Sequence, residues 1–213
     1  MKDNLILSSC RLGKLQDNTY THSLIHTHST KEVLQYLSYL NNESDIPQNM
    51  ERFIFRGIFL DNRKKVNKIA AKKELDQSKN VIIEICSKKK YISNNLYLHH
   101  LAARKKKNNN PKQHDCIMEC QDNAEIARDI LDIKTRLRDK NIIIVTHVLC
   151  AAAKGRQELI STVSNICDTY NIKCFNPSLY GLDQHMTDSN HYNRTGLDLM
   201  AKNITEKFGI SCM

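Results

Sequence analysis

Three short stretches constrain this chain most: NLILSS (4–9), NVIIEIC (80–86) and NIIIV (141–145). Each is a short run dense in Ile, Leu and Val that reads as a strand, the first of them suited to a central strand covered on both faces. Covering them needs amphipathic helices, and the intervening sequence supplies these. Ser29-Thr30-Lys31-Glu32 has capping-box spacing, followed by Val33, Leu34, Leu37 and Leu40 at helical period. Asp122 and Glu125 repeat the device ahead of Ile126, Ile130, Ile133 and Leu137. A third stripe runs through Leu159, Ile160, Val163 and Ile166 over 156–170. Thr195 is placed to cap a last helix bearing Leu197, Leu199, Met200 and Ile204. FIFRGIFL (53–60) and 172–175 read as further strands, and 64–76 as a polar, helix-leaning stretch. Alternating strands and helices predict an α/β fold, a three-layer α/β/α sandwich around a mainly parallel sheet of about five strands. A length of 213 residues suits a single domain over 1–213, with the polar segment 87–114 as an insertion or lid.

Composition narrows the function classes. The net charge of +9 is concentrated in Lys88-Lys89-Lys90 and in ARKKKNNNPKQ (103–113). No aromatic platform accompanies these lysines, which argues for solvated loops over a nucleic-acid partner. No apolar run reaches membrane-spanning length, and the N-terminal apolar stretch is too brief for a secretion signal. The eight cysteines are scattered without a C-x-x-C pair, as expected of reduced thiols in a cytoplasmic protein. Cys116 and Cys120 lack a second matching pair, and His22, His26 and His28 lack an obvious carboxylate partner. No metal and no cofactor is therefore assigned. The Lys-, Asn- and Ile-rich usage points to an AT-rich genome, that of a giant virus or a low-GC bacterium.

In parallel sheets, chemistry gathers at the carboxyl ends of the strands. That rule singles out Ser8, Ser9 and Cys10, then Ser87, then Thr146 and His147, and finally 176–180. The last of these leads into MTDSNHYNRTG, where Asp188 and His191 stand three apart just before the final helix. A carboxylate at that spacing can hold an imidazole in one tautomer and leave its other nitrogen as a base. Glu84 is the lone charge within an apolar strand and needs a partner if buried, with Arg11 and Lys88 as candidates.

Ser9 after the first strand, with Asp188-x-x-His191 before the last helix, resembles the SGNH (GDSL-type) hydrolase superfamily. The closer likeness is to its GSCFA-like branch, carried by LILSSCR, THSTKEVLQYL (27–37), VIIEICSKKKY (81–91), RQELI (156–160), FNPS (175–178) and DSNHYNRTG (188–196). The resemblance implies an SGNH- or flavodoxin-like sheet and a serine-dependent esterase or acyl transferase acting on an O-acylated small molecule or carbohydrate. Ser9 would be the nucleophile, His191 the general base and Asp188 its orienting acid. A frame shifted by one residue would make Cys10 the nucleophile. The oxyanion hole would combine the Ser9 amide with Gly57 and with Asn94 or Asn95, and His28 and Arg11 would line the pocket. A non-catalytic binding or assembly module of the same fold, and a basic nucleic-acid-binding protein, stay open as alternatives.

Overall fold

The computed structural model describes residues 3–12, 15, 26–55, 67–103, 114–148, 155–188 and 190–210. Four parallel strands form the main sheet: β1 (Asn4–Leu7), β2 (Asn80–Ile85), β6 (Asn141–Thr146) and β7 (Lys173–Phe175), side by side in that order. Asn4 pairs with Asn80 and Asn80 with Asn141 at the amino edge, where the side-chain amides form a ladder (Nδ2 to Oδ1, 2.7 Å in both steps). The ladder fixes register, because a one-residue slip would turn every apolar side chain to the wrong face.

Period-2 alternation divides the apolar residues of these strands between two cores. Leu5, Leu7, Val81, Ile83, Ile85, Ile142 and Ile144 face one side. There they meet α1 (Thr30–Leu40), α2 (Gln48–Ile54), α3 (Lys68–Gln77), α4 (Asn123–Arg136) and α5 (Arg156–Thr169). Ile6, Ile82, Ile143, Val145 and Phe175 face the other side, covered by Met200 and Ile204 of α6 (Arg194–Phe208) with Leu12, Leu182 and Tyr192. Strands buried on both faces explain why these runs carry so few polar residues.

A second sheet is antiparallel and three-stranded, in the order β4 (Leu96–Leu98), β3 (Lys89–Ser93), β5 (Ile117–Cys120). Asn94 and Asn95 turn β3 into β4 with φ of 51° and 60°, the left-handed pair that a two-residue hairpin demands. Gln35 of α1 clamps β4, donating to Tyr97 O (2.8 Å) and accepting from Tyr97 N (2.7 Å). This pairing satisfies the strand's outer edge.

The single five-stranded sheet is therefore corrected to one parallel sheet of four strands plus a separate antiparallel sheet of three. The expected strand over 53–60 fails at its start, because Phe53 and Ile54 close α2 and bury with Met50 at helical spacing; residues 56–60 lie outside the described set. The cap of α6 moves from Thr195 to Asn193, whose Oδ1 accepts from Gly196 N at 2.8 Å. The caps at Ser29 and Asp122 form as read, accepting from Glu32 N and Glu125 N. Among the described residues, no helix is long and apolar enough to cross a membrane.

Candidate functional site

Beyond the carboxyl ends of β1, β2 and β6 opens a cleft of ≈ 620 Å³, walled on one side by Lys89, Tyr91 and Cys120 of the antiparallel sheet. Its floor is built on Glu84, a fully buried carboxylate. Glu84 Oε2 accepts from Ser9 N (2.9 Å) and from Ser9 Oγ (2.5 Å), and Oε1 accepts from Arg11 Nε (2.5 Å). Burial alone would raise the Glu84 pKa, but the Arg11 charge and the Ser9 hydroxyl bring it below the ordinary carboxylate range, so Glu84 is ionised. His147, at the end of β6, is held down to about 3 by burial and by the Arg11 charge, and is therefore neutral.

The rim is formed by the turn before α6. Asp188 Oδ1 accepts from Asn190 N (2.6 Å) and His191 N (2.9 Å), an Asx-type turn that the D-x-N-H order encodes. The same carboxylate lies 2.8 Å from His191 Nδ1. The His191 bond, followed by these backbone amides, keeps Asp188 below its ordinary range. With Nδ1 directed at Asp188, His191 carries its ring proton there and offers Nε2 as a base. Two guanidinium groups pin the turn through Asn190: Arg11 Nη1 donates to its carbonyl (3.0 Å) and Arg156 Nη2 to its side-chain oxygen (3.2 Å).

The sequence-derived candidates separate in this frame. Ser9, Arg11, His28, His147 and His191 line one cleft, with Asp188 directly behind His191. Ser9, however, directs its hydroxyl and its amide to Glu84 and makes no hydrogen bond to His191. The Ser-His-Asp triad is absent, and the Ser9 amide is not available to an oxyanion. Asn94 sits in the β3–β4 turn, so its positive φ explains its presence there. Cys10 begins a short 3-10 turn over Cys10–Leu12. Gly57 and His22, like the basic run 104–113, lie outside the described residues. Of the lysine triplet, Lys88 pairs with Glu158 (2.7 Å) and Lys90 with Glu125 (2.9 Å), which ties up two of its three charges.

Three cleft features escaped sequence reasoning. In the sequence Arg156 stands out only as a helix start and as the first residue of RQELI, without a site role, and His99 and His100 only as part of a polar segment. The His-His dipeptide in LYLHHL was the available signal.

A family model described as the TviD N-terminal domain matches residues 9–114 and 100–207. The chain belongs to that family, which together with the missing triad overturns the SGNH assignment and the esterase, hydrolase or acyl-transferase activity it implied. No curated protein and no solved structure matches the chain.

Proposed function

We propose that this TviD N-terminal-family chain binds a small anionic ligand in the cleft and exchanges a proton with it through His191. The observation that carries the reading is the rim itself, where a carboxylate-held histidine and two guanidinium groups meet through Asn190. Arg11, Lys88, Lys89 and Arg156 line the cleft beside Glu32 and Glu158; Glu84 balances Arg11 and Glu158 balances Lys88, so Lys89 and Arg156 are the cations through which an anion would be drawn. Arg156, held over the cleft by its bonds to Val148 O (3.4 Å) and Asn190 Oδ1 (3.2 Å), carries a guanidinium of the kind that pairs with a carboxylate or phosphate, and Arg11, bonded through Nε to Glu84, acts as a fixed support. Ser9 belongs to this support as a positioning residue. His191 Nε2 then takes a proton from a hydroxyl or ammonium group of the bound ligand, and Asp188 stabilises the imidazolium formed.

Calorimetric titration with a sugar acid, a sugar phosphate and citrate, against neutral glucose, tests this. At least one anion should bind and glucose should not. Arg156→Ala should weaken binding about tenfold or more. A proton passed from ligand to His191 stays within the complex, so it is read from the His191 ring nitrogens by NMR, which should move towards the imidazolium pattern on binding, while His191→Gln changes affinity little. Anion binding indifferent to Arg156→Ala would place the ligand elsewhere and end the reading.

A further inference from the structure

At the inner end of the cleft, His28, His99 and His100 bring one ring nitrogen each to within 4.8 Å of one another. Their ring centroids lie 4.4 Å (His99–His100), 4.5 Å (His28–His100) and 4.9 Å (His28–His99) apart. We propose that these three residues form a binding site for a divalent transition-metal ion of the zinc type, with its open coordination position facing the cleft.

The backbones of His28 and His99 are held independently of any ion, and His100 follows His99 directly in the chain. His28 O accepts from Cys86 N (3.0 Å) and Ser87 N (2.9 Å), which fastens it to the end of β2. His28 N donates to Glu32 Oε2 at 2.7 Å, so the first turn of α1 fixes it as well. His99 N donates to Phe53 O (2.9 Å) and His99 O accepts from Ala102 N (2.8 Å), anchoring the dipeptide that follows β4. A pre-placed trio of imidazoles is the costly part of a metal site, since ordering the ligands opposes binding. Here the fold has already ordered them.

The donor set selects the ion class. Three neutral imidazoles suit zinc, copper, nickel or cobalt, and the absence of a carboxylate from the trio disfavours magnesium and calcium. Zn–N bonds of roughly 2.0–2.1 Å at tetrahedral angles put ligand nitrogens about 3.4 Å apart. The present spacing, within 4.8 Å, has to close by about 1.4 Å at most to reach that value. His28 and His100 line the cleft while His99 is buried behind them, so the fourth position faces solvent and ligand. Three protein nitrogens with an exchangeable fourth position is the arrangement of catalytic zinc rather than structural zinc. Glu32 Oε2 stands 3.5 Å from His28 Nδ1, in the place of an outer-shell carboxylate that orients a ligand ring.

Ligation involves one proton shift. Leu101 N donates to His99 Nδ1 over 3.2 Å, so the neutral metal-free ring carries its proton on Nε2. Binding through Nε2 moves that proton to Nδ1 and releases the Leu101 amide. The proposal stands on the histidine geometry and does not depend on the anion reading.

The test uses the full chain stripped with chelator, titrated with Zn(II) and separately with Co(II). One equivalent of Zn(II) should bind, raise Tm with increasing free metal, and shift the Leu101 amide resonance. Co(II) should give the visible bands of a site with nitrogen ligands and low coordination number, without thiolate charge-transfer absorption. His28→Ala and His100→Ala should each lower affinity at least tenfold, and His100→Cys should recover most of it. Because both side chains are only partly buried, the circular dichroism of these variants should match wild type. Anion binding, measured in the presence of chelator, reports on the other reading separately. Absence of stoichiometric binding by folded wild type would overturn the proposal. So would binding that survives both alanine variants, or cobalt spectra dominated by thiolate from Cys86 or Cys120.

Discussion

Ser9 directs both its amide and its hydroxyl hydrogen at one atom, Oε2 of Glu84, over 2.9 and 2.5 Å and across 75 residues of sequence. Arg11 takes the other oxygen, so the end of one strand, a short 3-10 turn and the carboxyl end of the neighbouring strand are joined by one buried anion. A serine held in this way supports a cleft floor and does not present a nucleophile.

Glu84→Gln keeps the shape of the side chain but leaves the Arg11 charge buried without its counter-ion. Breaking such a pair costs about 3–5 kcal/mol. At roughly 2–4 °C per kcal/mol for a chain of this size, Tm should fall by at least about 6 °C. A variant melting with wild type would show that the floor does not need the charge.

The same carboxylate sets an acid limit. Its pKa in the fold lies below the ordinary 4.5, so its contribution is complete above that value and is lost as pH falls through the folded pKa. Denaturant titrations below pH 4.5 should therefore show a steeper loss for wild type than for Glu84→Gln, with parallel curves above it.

His147 acts in a higher window. It stays neutral in the fold, with its pKa near 3, while the unfolded chain takes up the proton below about 6.5. Stability should thus decline as pH drops from 6.5 towards 3, by up to roughly 1.4 kcal/mol per pH unit. His147→Gln should flatten the profile between pH 6.5 and 4.5. Equal slopes in both proteins would assign the acid sensitivity to other groups.

At the start of α6, Asn193→Ala removes the acceptor for Gly196 N and should cost about 1 kcal/mol. Thr195→Ala should leave the melting curve nearly unchanged. The reverse ranking would restore Thr195 as the cap.

Gly196→Ala sets helix propensity against packing. Alanine is worth about 1 kcal/mol over glycine within a helix, but its Cβ would lie 2.7 Å from His185 Cβ and 3.0 Å from Tyr192 Cδ1. His185 Cβ is fixed to the backbone and cannot swing aside, so overpacking of about 1–3 kcal/mol should win. Tm should fall, and the Asp188–His191 turn that Tyr192 follows should be perturbed in the His191 imidazole resonances.

Much of the architecture was legible locally. The capping spacings at Ser29 and Asp122 located two helices, because a cap is a contact between residues three apart. Glu84 stood out as a charge in an apolar run that required a partner, and Arg11 was one of two candidates named for it. FIFRGIFL misled because its apolar density suits a strand or a buried helix end equally. Met50, Phe53 and Ile54 settle its first two residues as a helix end by facing one core together.

Local pattern by itself located the apolar runs that become β1, β2, β6 and β7, the helices capped at Ser29 and Asp122 and those striped over 156–170 and 197–204, and it set Asp188 three residues before His191 in a polar turn. All of these depend on neighbours within a few residues. It did not locate the helix over Gln48–Ile54. Only the tertiary structure decided that Ser9 faces Glu84, that Lys89–Ser93, Leu96–Leu98 and Ile117–Cys120 pair in their own antiparallel sheet, and that His28 meets His99 and His100. Each is a pairing between segments far apart in the chain. Its partner is chosen by which face of the sheet must be covered and which buried charge must be neutralised, and neither is a property of any local stretch.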